Sequence, residues 1–246
     1  SCYNDNHGDC ADGCCCDLEF HPYTEPEVTS RIAEVFKDFK VKNTLIKGDG
    51  SLTDNDSVQG IEIVTIIPAN DFSNLMRICS ALKKLNARID KTCGLHIHID
   101  SRAHRPSKIV KNLQAALPLL CSMVPVSRVK NHYCQIDVSS KKTSRYAKIN
   151  THSYRKHKTI EVRLHSGTTD FNKISQWITV LRSIALNDKA LPVSKTYDVQ
   201  FMADTLSWSE ETMEYVAQRQ SLFKDGHIAS SNGQSVDANG EAIQAA

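Results

Sequence analysis

The sequence has no apolar run approaching the roughly 18 residues a membrane-spanning helix needs. Its longest apolar stretches, such as Ile61 to Pro68, are of strand length. A membrane bundle is excluded. Glycine and proline are sparse, 10 and 7 among 246 residues, which excludes a collagen-like chain. Neither charge is in excess: 30 Lys and Arg face 28 Asp and Glu, a net charge of +2. Global charge therefore names no membrane or nucleic-acid partner. No secretory signal is expected, because Ser1 to Asp12 is polar. The chain does not begin with Met, so processing or trimming is expected. There is no internal repeat. What remains, 40% hydrophobic and 24% charged, is an ordinary folded chain of about one domain, which excludes wholesale disorder and leads to a cytoplasmic expectation.

Cysteine is unevenly placed. Of nine, five fall in the first sixteen residues: Cys2, Cys10, Cys14, Cys15 and Cys16. Cys79, Cys93, Cys121 and Cys134 lie in apolar or mixed surroundings and read as small core residues. Without a secretory signal, free thiols are expected rather than disulfides. The leader could bind Zn²⁺ together with His7. Three adjacent cysteines cannot all serve one tetrahedral site without strain, so a plain leader with Cys15 facing inward remains the other reading.

Periodicity orders the chain. Cys14 to His21 alternates as a strand, with Leu18 and Phe20 on one face and Asp17, Glu19 and His21 on the other. Helical spacing at Val28, Ile32, Val35, Phe36 and Phe39 predicts a helix over 27–39. Asp49-Gly50 is a turn signal. Gly60 to Ile67 is a β-branched strand. Asp71 is expected to cap a helix running to Asn86. Gly94 to Asp100 alternates again, with His96, His98 and Asp100 against Leu95, Ile97 and Ile99. A helix is expected over 108–123, with Pro118 near its end, and an extended segment over 131–139. Thr159 to His165 sets Glu161, Arg163 and His165 opposite Ile160, Val162 and Leu164. Helices follow over 171–187 and 209–222. From Ile228 the chain is polar and tail-like. Interleaved helices with alternating strands predict an α+β fold, a mainly antiparallel sheet with helices packed on one side.

The polar strand faces carry the chemistry. They offer Asp17 and Glu19, then Glu62, then His96 and His98, then Glu161 and Arg163. Residues i and i+2 of a strand share a face, roughly 7 Å apart. Were these strands to share a sheet, one face would hold several carboxylates, two imidazoles and a guanidinium. Such a face needs a metal or a ligand, because buried like charges are costly. Carboxylates suit Mg²⁺, and an added imidazole suits Mn²⁺. A guanidinium meets phosphate or carboxylate bidentately. Each motif alone is commonplace: a His-x-His strand is often solvent-facing, and a Glu-x-Arg pair is often a surface ion pair. Lys141, Lys142, Arg145, Lys148, Arg155, Lys156, Lys158 and Arg163 form a basic stretch against one acid, Glu161, suited to an anionic ligand or simply to solvent.

Four segments fall in a family's order: Asp49-Gly50-Ser51-Leu52, Gly60-Ile61-Glu62-Ile63-Val64, Cys93-Gly94-Leu95-His96-Ile97-His98-Ile99, and Thr159 to Thr168. From about Cys16 to Leu186 the chain resembles the amidoligases, carboxylate–amine ligases related to glutamine synthetase and glutamate–cysteine ligase. Cys16-Asp17-Leu18-Glu19-Phe20 resembles the family's opening strand, Gly-x-Glu-x-Glu, with Cys in place of Gly and Asp in place of the first Glu.

The resemblance implies a glutamine-synthetase-like catalytic fold spanning 16–227, a leader over 1–15 and a tail over 228–246. It implies ATP and Mg²⁺ or Mn²⁺, with Asp17, Glu19, Glu62, His96 and Glu161 as metal ligands. Glu161, Arg163 and His98 would be catalytic. Arg163, Arg145, Arg155 and Lys158 would contact the nucleotide. The implied reaction joins an amino-acid or peptide carboxylate to an amine through an acyl phosphate. No membrane or nucleic-acid partner is expected, and a homo-oligomer is compatible. The alternative is a non-catalytic structural or binding protein on the same fold.

Overall fold

The computed structural model describes residues 25–49, 60–130, 134, 145–189, 191, 198–224, 228–229 and 235–236. The expected first strand with Asp17 and Glu19, the Cys-rich leader, Gly50, the 131–139 segment apart from Cys134, and most of the tail lie outside the described residues. The chain divides into two units, 1–86 and 87–246.

In the first unit, α1 (Glu25–Asp38) forms where the 3.6-residue spacing required it. Val28, Ile32, Val35, Phe36 and Phe39 all join one apolar cluster with Ile78, Ala81, Leu82 and Leu85. The last four belong to, or directly follow, α2 (Ser73–Lys84). Asp71 does not stand at the cap of α2. Phe72 does, and the Asp71 carboxylate, one residue earlier, accepts from the Ser73 backbone N–H at 2.8 Å. Between the helices, β1 (Thr44–Gly48) pairs antiparallel with β2 (Ile61–Thr65). β1 was not expected, because five residues ending in Gly give only a short alternation. Ile46, Ile61 and Ile63 face the helices.

In the second unit, β3 (Gly94–Asp100) and the two-residue β4 (Ile149–Asn150) flank β5 (Thr159–Ser166), all antiparallel. α3 (Pro106–Ala115) and α4 (Leu117–Ser122) replace the single expected helix. Pro118, in the first turn of α4, cannot donate to a continuing helix and instead starts the second piece. α5 (Val126–Val129) and α6 (Ser153–His157) are short. α7 (Phe171–Leu186) starts at Asp170, whose carboxylate accepts from Lys173 N. α8 (Val199–Leu206), also unexpected, is capped by Asp198 in the same way, and α9 (Glu210–Lys224) closes the described helices. β6 (Ile228–Ala229) and β7 (Ser235–Val236) form a minimal ladder beyond them.

The core lies on one side of the three-stranded sheet. Ile99, Ile149, Ile160, Val162 and Leu164 pack with Ile109 and Leu113 of α3 and with Trp177, Val180, Leu181 and Ile184 of α7. The architecture is mixed helix and sheet with small antiparallel sheets, compatible with α+β. Instead of one sheet, the described strands form separate small sheets. Glu62 belongs to the β1–β2 ladder of the first unit, and His96, His98 and Glu161 to the three-stranded sheet of the second. No helix among the described residues is long and apolar enough to cross a membrane.

Candidate functional site

The register of β3, β5 and β4 builds the site. His98, Glu161 and Asn150 stand in one row across the three strands, and the neighbouring row is Ile97, Val162 and Ile149. Alternation then sends the second row into the core and the first to the opposite face.

Glu161 is the centre of that face. It is 5% exposed, and both of its oxygens are engaged. Arg163 Nη1 donates to Oε1 at 2.5 Å, and Asn150 Nδ2 donates to Oε2 at 2.6 Å. His96 Nδ1 lies 3.4 Å and His98 Nε2 lies 3.9 Å from the same Oε1. His98 Nδ1 is 2.9 Å from the Thr159 hydroxyl, and its ring meets His157 edge-on. Burial, with help from the Arg163 cation, pulls His96 down to about 4 against the opposing pull of Glu161, so the ring is neutral at pH 7.

β5 carries one extra residue. From Leu95 to Ile97 the partner strand runs from His165 to Val162, so Arg163 and Leu164 together oppose His96. This bulge corrects the simple alternation. His165 pairs with Leu95 and turns into the core, with its ring 5.1 Å from that of Trp177. Its Nδ1 donates to the Ser166 carbonyl at 2.7 Å, and burial drives it down to about 3.

Two buried cations support the bulge: Arg128, which no motif singled out, and Lys148 of the basic stretch. Arg128 of α5, 6% exposed, donates from Nη2 to the Arg163 carbonyl at 2.7 Å and from Nε to the Leu164 carbonyl at 3.4 Å. Lys148, 2% exposed, donates to the carbonyls of Val129 at 2.6 Å and Cys134 at 2.8 Å. The basic stretch predicts Lys148 to face an anionic ligand or solvent; it is instead a buried strut inside the unit. The only sequence signal for either residue is a cation within an apolar run, as in Val126-Ser127-Arg128-Val129.

Gly94 has a steric reason. A Cβ there would lie 3.1 Å from His96 Nε2 and 3.3 Å from Arg128 Nη2. Gly167 is tighter still. Its Cβ would fall 2.5 Å from Cys93 Cβ, where Gly167 N donates to the Cys93 carbonyl.

The other expected residues have surroundings of their own. Glu62 pairs across strands with Lys47 at 2.6 Å on a solvent-facing surface. The Arg145 guanidinium lies 4.8 Å and that of Arg163 6.0 Å from the Tyr146 ring centroid, so Arg145 approaches the cluster through that ring. Lys158 lies over Tyr154, and its carbonyl accepts from Ser101 N and Oγ. Arg155 is exposed on α6. Among the described residues no group of three or more His, Cys, Asp or Glu side chains is arranged to hold a metal ion. The Glu161 oxygens are already taken by Arg163 and Asn150, so this part alone does not fit a divalent cation. A guanidinium-edged face with a neutral imidazole fits an oxyanion better.

A family described as "Putative amidoligase enzyme" matches this chain over residues 23–140 and 124–185. No curated protein and no solved structure matches it.

Proposed function

The chain belongs to the amidoligase family, and we propose that it is an ATP-dependent carboxylate–amine ligase working through an acyl phosphate on a glutamine-synthetase-like fold. The carrying observation is the Glu161–Arg163 pair, seated with His96 and His98 on the polar face of an antiparallel sheet in a member of this family.

The reading follows from the chemistry. A carboxylate is a poor electrophile, because amide formation would have to expel oxide. Attack by a carboxylate oxygen on the γ-phosphorus of ATP forms an O–P bond and breaks the bond to the bridging oxygen, releasing ADP. An amine then attacks the acyl carbon, expels phosphate and gives up a proton. Arg163, held by Glu161, places its guanidinium charge against the phosphoryl oxygens and stabilises their charge during transfer. His98 stands on the same row as Glu161 and contacts the nucleotide or the acyl substrate. Arg145, Arg155 and Lys158 are proposed nucleotide contacts. Mg²⁺ or Mn²⁺ would neutralise phosphate charge, drawing on Asp17 and Glu19 outside the described residues. The acid is an amino acid or peptide, and the setting is the cytoplasm, where ATP is supplied.

The second reading, a non-catalytic binding or structural protein on this fold, is favoured by one observation: Glu161 is fully engaged by Arg163 and Asn150. Hydroxylamine trapping separates the two. Protein, ATP, Mg²⁺ and a panel of amino acids and peptides yield an acyl hydroxamate if the ligase reading holds. No hydroxamate and no ADP with any acid, from folded protein, favours the second reading.

A further inference from the structure

We propose that Arg128 is a positioning residue that clamps the β5 bulge, and so decides which β5 side chains face Glu161 and which face the core. The geometry is specific. The two carbonyls Arg128 serves, those of Arg163 and Leu164, belong to the two residues that share His96 as their partner across the sheet. An extra residue in a strand disturbs the local ladder, and its carbonyls need donors from elsewhere. One planar guanidinium supplies both.

The clamp is itself anchored. Arg128 sits on α5, whose last residue, Val129, gives its carbonyl to Lys148 Nζ. The Lys148 carbonyl in turn accepts from Arg163 N at 3.0 Å. Arg163 therefore has its N–H held from the β4 side and its carbonyl held by Arg128, while its guanidinium reaches Glu161. Beyond the bulge, Gly94 pairs with Ser166, and Gly167 N donates to the Cys93 carbonyl at 2.9 Å. The extra residue is trapped between two fixed ladder segments. Without the clamp, a regular ladder continued from Ile97–Val162 would pair Leu95 with Leu164 and return His165 to the polar face beside Arg163.

The role rests on the ligase reading only where activity is the readout. The bulge itself has a spectroscopic one, because the His165 ring lies against Trp177 only when the extra residue is in place. The experiment compares wild type, Arg128→Met and Arg128→Lys by NMR of the histidine ring protons, unfolding midpoint and hydroxamate formation. The wild type shows His165 ring protons shifted by the Trp177 ring current. In folded Arg128→Met this shift is lost, and hydroxamate formation falls on the order of 100-fold, as expected for misplaced reacting groups. Folded Arg128→Met with the His165 shift intact overturns the clamp, even if its unfolding midpoint is lower, because that is a stability role only. If Arg128→Met does not fold, Arg128→Lys decides. A single ammonium serves one carbonyl, so the shift weakens; an unchanged shift overturns the clamp. If wild type forms no hydroxamate with any acid, the ligase reading fails while the ring shift still decides the role of Arg128.

Discussion

Arg163 and Glu161, two residues apart on β5, meet through Nη1 and Oε1 at 2.5 Å, with the carboxylate almost wholly buried. A carboxylate in that position is tolerable because a cation and Asn150 satisfy both of its oxygens. The pair therefore has a structural cost attached to any change made for functional reasons.

Removing one partner exposes that cost. Arg163→Met leaves Glu161 buried with Asn150 as its remaining strong donor, and is expected to destabilise the fold by about 3 kcal/mol. Glu161→Gln combined with Arg163→Met recovers part of the loss, because no uncompensated charge remains. Urea denaturation of the two single variants and the double variant checks this as a cycle. Simple additivity would contradict a coupled pair.

Gly94 and Gly167 separate site from scaffold. At Gly167 a Cβ would meet the Cys93 backbone at 3.1 Å as well as its Cβ, so Gly167→Ala forces the strands apart and costs about 1–3 kcal/mol. At Gly94 the Cβ meets two side-chain tips, which can shift, so Gly94→Ala costs less stability but moves His96 and Arg128. Comparing unfolding midpoint with ATP turnover gives the ranking: Gly167→Ala should lose more stability, and Gly94→Ala more activity per unit of stability lost.

Stability should fall in mild acid, with His165 contributing. Burial and then the Arg219 cation lower its pKa in the folded chain to about 3, against the Ser166 carbonyl, which pulls the other way. The ordinary imidazole value is about 6.5. Above that, neither state binds the proton and stability is full. Between about pH 6.5 and 3 the unfolded chain binds a proton that the folded chain refuses, so stability declines as pH falls. His165→Leu should reduce the slope of unfolding free energy against pH by up to one proton in that window. An unchanged slope would show that His165 is not buried neutral.

The sequence conveyed what depends on local period. The His98–Glu161 neighbourhood followed from two alternating strands, and the α1 and α7 faces from helical spacing. What it hid depends on tertiary register. Alternation set His165 beside Glu161 and Arg163, but one extra residue in β5 turned it to Trp177. Asn150 sits on a strand of two residues, too short to show any period. Arg128 acts on carbonyls 35 and 36 positions along the chain, a relation no spacing rule encodes. Pro118 was placed near a helix end, yet it begins a new helix.

The central claim, activation of a carboxylate by ATP, is tested most directly by following oxygen. The acid that supports turnover is supplied with ¹⁸O in both carboxylate oxygens, together with ATP, Mg²⁺ and an amine. The acyl-phosphate route sends one labelled oxygen into inorganic phosphate for each amide formed and leaves the other in the amide carbonyl. Amide formation with unlabelled phosphate, or ATP cleavage that never labels phosphate with any acid tested, would contradict it.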